Sequence, residues 1–282
     1  MISPRIRRRI NRILYPYVPL IIVLIALLFP FYWMLITSLK TLGETYNLST
    51  PLIVKAPTLS NYVWLFTKSN IARWYLNSLL LSTFTTLISL VVSVMAGYAI
   101  AHLRFSGAAV IGILIFITYL IPRTLLFIPV AVVTQQLGVY GKLASLLLVY
   151  PTFVIPFCTW LLSGYFRTIP LEPEECAMVD GCSRIGAIIR ITLPLAVPGI
   201  LTAAIFGFTL AWNELLYAIV LVNGEMNRTL PVGLVNSLIN RDTYLWGPLM
   251  AGAVLGSIPI AILYFFFMDL YVGGLTAGAV KG

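Results

Sequence analysis

Apolar residues dominate this chain in long blocks rather than in short periods. Six runs, at roughly 15–39, 74–101, 108–133, 143–166, 198–222 and 249–272, each supply the about 20 residues that an α-helix needs to cross a bilayer. They are apolar nearly all round, so helical periodicity does not separate a lipid-facing side from a packed one. Each contains Gly or Pro, as is ordinary for helices that pack against one another in lipid. The pattern predicts an all-α polytopic membrane protein with six transmembrane helices.

One stretch breaks the pattern. Pro170–Pro194, PLEPEECAMVDGCSRIGAIIRITLP, carries Glu172, Glu174, Glu175, Asp180, Arg184 and Arg190. An ionised side chain at mid-bilayer costs roughly 2.5–3.5 kcal/mol on insertion scales, so six of them together place this segment outside the membrane. Pro173 suits a first helical turn, and Glu174 and Glu175 suit the positive end of a helix. Gly181 fits a left-handed stop, and Ser183 fits the cap of a second helix that ends before Pro194. The prediction is two short helices with a glycine elbow between the fourth and fifth spans.

Charge sets the orientation. The chain has 282 residues, of which 60% are hydrophobic and 10% charged, where a soluble domain carries about 25%. Its net charge of +9 would suggest nucleic acid in a soluble protein. Here Arg5, Arg7, Arg8, Arg9 and Arg12 precede the first apolar run, and a cytoplasmic anchor at anionic lipid explains them, with no nucleic-acid partner. Residues 1–14 are then a basic cytoplasmic N-terminus and 15–39 the first span. Residues 40–73 form an outer loop, with Trp64, Trp74 and Tyr75 placed for an interface. Residues 74–272 form a five-helix core containing the 170–194 elbow, and 273–282 a cytoplasmic tail. The apolar run at 15–39 is too long for a cleavable signal core.

Several chemistries lack their residues. Gly141-Lys142 has neither the upstream glycine nor the following Ser/Thr of a phosphate-binding loop. His102 stands alone as the chain's one histidine, without the partner a two-histidine zinc site needs, and is placed at the inner interface beside Arg104. Cys158, Cys176 and Cys182 fit no metal spacing and read as small apolar residues. No catalytic residue, metal or cofactor is assigned to the chain. Polar residues inside the spans are the remaining clue: Arg123 in the third, and Asn213 and Glu214 in the fifth with Tyr217 one turn later. They line a solute pathway or pair structurally, and the sequence leaves both open. Asp269 is placed at the inner interface.

The elbow carries a resemblance. Glu175-Cys176-Ala177-Met178-Val179-Asp180-Gly181, then nine residues, then Ile191-Thr192-Leu193-Pro194, resembles the EAA loop of binding-protein-dependent ABC importers. Cys176 departs from the pattern by a small-for-small change. Asn77-Ser78, Ala96-Gly97-Tyr98-Ala99, Trp212-Asn213-Glu214 and the tail from Gly274 to Gly282 are similar to the smaller permease of maltose-type transporters.

That resemblance implies a non-catalytic subunit in a prokaryotic inner membrane, with both termini cytoplasmic. It implies a second homologous permease, two copies of a cytoplasmic ATPase that binds ATP and Mg, and an external solute-binding protein. The ATPase contact would be Glu175, Cys176, Ala177, Met178, Asp180, Gly181, Ile191, Leu193 and Pro194, with Ala177 and Met178 as its apolar knob. Ile185, Ile188 and Ile189 would tie the second helix back to the membrane domain. Ala279–Gly282 would be a second contact. The expected cargo is a sugar or oligosaccharide, with glycerol phosphate or another polar solute as the alternative within the same machinery. A stand-alone secondary carrier is the alternative of a different class.

Overall fold

The computed structural model describes residues 4–47, 52–103, 105–240 and 243–276, and the side chains of 17–47, 52–103, 105–238 and 245–268. The described chain is helical: α1 (Pro4–Ser38), α2 (Leu42–Thr45), α3 (Ser60–Lys68), α4 (Ile71–His102), α5 (Ala108–Leu120), α6 (Arg123–Gln136), α7 (Leu143–Val149), α8 (Pro151–Phe166), α9 (Glu172–Val179), α10 (Arg184–Ala187), α11 (Leu193–Trp212), α12 (Leu216–Leu221), α13 (Leu230–Leu238) and α14 (Trp246–Thr276). A two-residue antiparallel ladder pairs Ile239–Asn240 with Thr243–Tyr244. Five helical stretches are long and apolar enough to cross a membrane: 17–38, 71–102, 143–166, 184–212 and 246–268.

The apolar run expected at 108–133 is not one straight helix. α5 and α6 meet at 93° around Ile121-Pro122, and they make a sixth span only if the bent pair counts as one. The cause is local. A residue before proline is pushed to extended backbone, and Pro122 has no N–H to continue the ladder. Ile121 sits at φ −64°, ψ 124°. Arg123 therefore opens α6, directly after the bend.

The chain divides into two compact units, 1–69 with 234–257 and 70–233 with 258–282. In the first, the expected outer loop is partly helical. Asn61 on α3 donates to the carbonyls of Ser38 and Lys40 at 2.9 and 2.8 Å, and the Tyr62 hydroxyl meets Ser38 Oγ at 2.9 Å. In the second, α4, α8 and α11 enclose the core, which includes Leu81, Tyr98, Tyr150, Leu162, Phe166 and Ala203. Ser78, Ser82, Ser89, Ser93 and Gly97 are buried along α4, small enough for neighbouring backbones to approach. At Gly97 the approach is to backbone as well as side chain, since a Cβ there would lie 3.0 Å from Leu162 Cβ and 3.1 Å from Ser163 N.

One end of α4 is fastened by hydrogen bonds. Asn77 donates to the carbonyls of Met226 and Arg228, each at 2.9 Å, and Ser78 Oγ accepts from Leu230 N at 2.7 Å. Trp74, expected at an interface, is fully buried, and its indole N–H donates to the Glu225 carbonyl at 2.9 Å. That bond satisfies its polar atom, so nothing holds the ring at a wet boundary.

Gly97 and Gly164 give a matched test of this packing, because Gly164 has no atom within 4 Å of its would-be Cβ. Gly97→Leu is expected to destabilise by roughly 1–3 kcal/mol or more, whereas Gly164→Ala is expected to be neutral or to stabilise by about 0.5–1 kcal/mol. Thermal unfolding of the purified protein in detergent measures both. Equal melting temperatures for Gly97→Leu and the unsubstituted chain would contradict the close α4–α8 approach.

Candidate functional site

The polar elbow is built from short local signals. α9 carries Pro173 and three acids, Glu172, Glu174 and Glu175, in its first turn, where carboxylates favour the exposed N–H groups and the helix dipole. It ends in a Schellman motif. Cys182 N donates to the Ala177 carbonyl at 2.9 Å and Gly181 N to the Met178 carbonyl at 3.1 Å. Gly181 holds φ +90°, a left-handed value that costs a side-chain-bearing residue roughly 1–2 kcal/mol. Ser183 Oγ then accepts from Gly186 N at 3.2 Å and starts α10.

Pro194 does not end the second helix, contrary to the expectation from the sequence pattern. Ile188–Thr192 form a π turn that joins α10 to α11, and the whole stretch 184–212 is one apolar helical run. Pro194 lies in the first turn of α11. The wider turn before it accommodates a residue with no N–H to donate and a ring that a tight α-turn would clash with.

The elbow is fastened inward by Glu174, which is 3% exposed. One carboxylate oxygen accepts from the Tyr98 hydroxyl of α4, and the other from Thr192 Oγ1 of the π turn at 2.6 Å. His102 Nδ1 lies 3.9 Å from the second oxygen. The opposite ring nitrogen, Nε2, donates to the Phe166 carbonyl at 2.7 Å, since a carbonyl can only accept. His102 is therefore part of this buried cluster. A groove of about 460 Å³ beside the cluster is lined by Leu103, Phe105, Leu171, Glu175, Met178 and Arg184 among others. Sequence reasoning missed the role of Glu174. The signal was present: Glu174 falls between Leu171 and Met178 at helical spacing, on the face those residues turn inward.

The other elbow residues divide by face. Glu175, Cys176, Asp180 and Gly181 are exposed, while Ala177 and Met178 are half-buried and Met178 lines the groove. On α9 the most exposed apolar residue is Val179, at 87%, next in sequence to Ala177 and Met178. Ile188 and Leu193 pack against the core and Ile191 is half-buried. Ile185 and Ile189 are exposed, so of the three isoleucines expected to tie the second helix back only Ile188 does. The π turn changes the angular step per residue, which a fixed helical period does not anticipate.

Three of the four residues singled out within the spans meet: Arg123, Glu214 and Tyr217. Glu214, 7% exposed, accepts from the Tyr150 hydroxyl at 3.2 Å and from the backbone N–H groups of Tyr217 and Ala218 at 3.1 and 3.2 Å. It satisfies the first N–H groups of α12. Tyr217 stacks on Phe153 and donates its hydroxyl to the Arg123 carbonyl at 3.2 Å, and the Arg123 guanidinium lies 4.7 Å from the Phe153 ring centre. Asn213 is exposed, and its amide returns to the Thr209 carbonyl at 3.0 Å. The geometry of Glu214 is that of structural pairing. Arg104, the Asp269 side chain and Ala279–Gly282 lie outside the described residues and side chains.

Comparison with known proteins shows the family and the fold. Residues 89–276 match the family described as binding-protein-dependent transport system inner membrane component. The chain is 36% identical to the sulfoquinovosyl glycerol transport system permease protein SmoH of Agrobacterium fabrum, covering 93% of this chain and 91% of that one. It is 31% identical to the trehalose/maltose transport system permease protein MalG of Thermococcus litoralis, covering 93% and 94%. Among solved structures, it superposes with a TM-score of 0.79 and 22% identity on a chain of a bacterial ABC transporter involved in the import of the acidic polysaccharide alginate, covering 96% and 99%.

Glu214→Ala would leave the Tyr150 hydroxyl and two backbone N–H groups without their acceptor. The expected cost is about 2–3 kcal/mol, with a smaller loss for Glu214→Gln, which keeps one acceptor oxygen. Thermal unfolding in detergent checks the order. A melting temperature for Glu214→Ala equal to that of the unsubstituted chain would exclude the carboxylate as the α12 cap.

Proposed function

The chain belongs to the inner-membrane components of binding-protein-dependent transport systems, and on that premise we propose that it is the permease subunit of an ATP-driven importer for a sugar or oligosaccharide. It is a multi-pass membrane protein that works with a solute-binding protein. In this reading it pairs with a second, homologous permease and with two copies of a cytoplasmic ATPase, which bind ATP and Mg. The subunit itself carries no catalytic residue.

The observation that carries the reading is the elbow. It is a charged, capped, glycine-turned segment, and its inner side is bonded to α4 and to the helix that enters the membrane. We assign the ATPase contact to Glu175, Cys176, Ala177, Met178, Asp180, Gly181, Ile191, Leu193 and Pro194, joined by the exposed Val179. Closure of the ATPase dimer would push this contact and shear the membrane helices from inward-facing to outward-facing. Six spans follow when α5 and α6 count as one. The basic N-terminus then lies in the cytoplasm, as do the elbow and the tail from 273. The division into residues 1–14, 15–39, 40–73, 74–272 and 273–282 belongs to this arrangement.

The cargo class is supported by what the relatives are named for, sulfoquinovosyl glycerol in one and trehalose/maltose in the other. Arg123, Asn213, Glu214 and Tyr217 belong to the membrane part of the machine. Asn213, exposed at the break between α11 and α12, and the half-buried Arg123 are the two of these four that a passing solute would meet. Glu214 and Tyr217 support that break.

Two measurements test the reading. Gly181→Leu forces a branched side chain onto a left-handed backbone with open space around it, so the strain of roughly 1–2 kcal/mol stays in the elbow. The expected result is an importer that assembles and hydrolyses ATP but takes up solute at least about tenfold more slowly. Normal uptake by this variant would remove the coupling role. Thermal shift of the associated binding protein across a panel of sugars, glycerol 3-phosphate and amino acids identifies the cargo class. Stabilisation by glycerol 3-phosphate alone would overturn the sugar assignment.

A further inference from the structure

Of the three acids that open α9, two are exposed and one is buried. The buried one, Glu174, holds a hydroxyl with each of its oxygens, and the two hydroxyls belong to different elements: Tyr98 near the end of α4 and Thr192 at the end of the π turn. Beside it, His102 is itself held to the last carbonyl of α8 through Nε2. Three elements thus meet at one carboxylate, and α8 joins them through His102.

We propose that Glu174 is the positioning residue of the elbow, fastening α9 so that the elbow, α4 and the start of α11 move as one body. The proposal rests on the reading of the elbow as the ATPase contact. α9 has eight residues, too few to hold a helix on its own in water. Its inward apolar face is thin, comprising the half-buried Leu171, Ala177 and Met178. Apolar contact is non-directional and lets a short helix slide under load. A charge-assisted hydrogen bond fixes distance and direction together. Glu174 makes two such bonds with neighbours on both sides of the elbow, so α9 cannot slide against α4 or the π turn without leaving a buried carboxylate oxygen unpaired. Tyr98 and Thr192 are its partners in this role, and neither touches the outer surface of the elbow.

The test uses the full importer complex reconstituted in lipid nanodiscs. Cys176 is exposed and Cys158 is buried, so with Cys182→Ser in place spin labels go on Cys176 of α9 and on the thiol introduced by Val91→Cys on the exposed face of α4. Distances between them are measured by double electron–electron resonance without nucleotide and with ATP and vanadate. With Glu174 present, one narrow distribution is expected, the same in both states. Glu174→Ala, Thr192→Val and Tyr98→Phe are each expected to broaden it about twofold and to make its mean depend on nucleotide, because the first leaves two buried hydroxyls without their acceptor and the others each leave a carboxylate oxygen without its donor. Glu174→Gln keeps an acceptor oxygen and an amide that a hydroxyl can accept from, so it should restore the narrow distribution.

Should Glu174→Ala fail to assemble, Thr192→Val and Tyr98→Phe decide, since each removes a hydroxyl with little change of shape. Narrow, nucleotide-independent distributions in these variants overturn the proposal, including where their yield falls, because a merely structural bond would lower yield without loosening the elbow. A photo-crosslinker on Cys176 of the otherwise unsubstituted complex separates the two readings. Capture of the ATPase together with narrow variant distributions sinks the anchor alone. No capture sinks the ATPase contact, and the anchor with it.

Discussion

The interior of this chain holds polar side chains among apolar ones, and an amide or carboxylate there finds its partner within the protein. Leaving a buried amide or carboxylate unpaired costs several kcal/mol, more where no water can reach. That constraint decides where the helices lock. Asn77 spends both amide hydrogens on the carbonyls of Met226 and Arg228, Glu214 gathers a hydroxyl and two N–H groups, and Glu174 gathers two hydroxyls from two elements. Around these points the helices meet through small residues and dispersion, which hold them together without fixing their register. The polar contacts are pins, and the apolar surfaces are rods between them.

α4 is pinned toward both ends. Asn77 and Ser78 fasten one end to the 226–230 segment, and Tyr98 and His102 fasten the other to the elbow and the end of α8. Some twenty residues separate the two sets, about 30 Å of helix. Under the proposed coupling, a rod held in this way would carry a displacement of the elbow to the 226–230 segment without any chain of charges between. The close contact at Gly97 keeps α8 in step, because neither backbone can move toward the other there. Transmission of this sort depends on bonds at the ends and on tight packing in the middle, and the second compact unit has both.

How much of this is legible in the sequence depends on the range of each cause. Pro173, Gly181 and Ser183 act within a few residues, so the elbow and its turn follow from neighbouring residues alone. Pro122 also acts locally, but a 26-residue apolar run outweighs it and hides the 93° break. Pro194 misleads because the rule that proline ends a helix takes no account of a π turn ahead of it. Glu174 and Trp74 escape notice as interior groups because their partners lie far away in sequence, at 98, 192 and 225. Asn77-Ser78, Gly97-Tyr98 and Glu214 are recognisable as marks of resemblance without a physical reason. The fold supplies the reason, since each is a pin or a close approach.

The elbow also shows how a polar segment can be both fastened and available. Glu172, Glu175 and Asp180 stay in water, where a carboxylate keeps its hydration at no cost to folding, while Glu174 alone turns in. Val179, Ile185 and Ile189 are turned out beside them, at 87%, 70% and 58% exposure. Exposed apolar residues scattered singly are common on any protein, but three on one short charged elbow form a mixed surface of the kind that protein partners bury. Apolar area supplies attraction on docking, and the surrounding acids select orientation and reject a partner of the wrong charge. Such a surface needs a fixed backbone beneath it. The left-handed turn at Gly181 sets the angle between its two halves, and Glu174 sets its position on the membrane domain. Under the proposed coupling, removing either would leave the same residues exposed while a push against them was absorbed in the elbow before it reached α4.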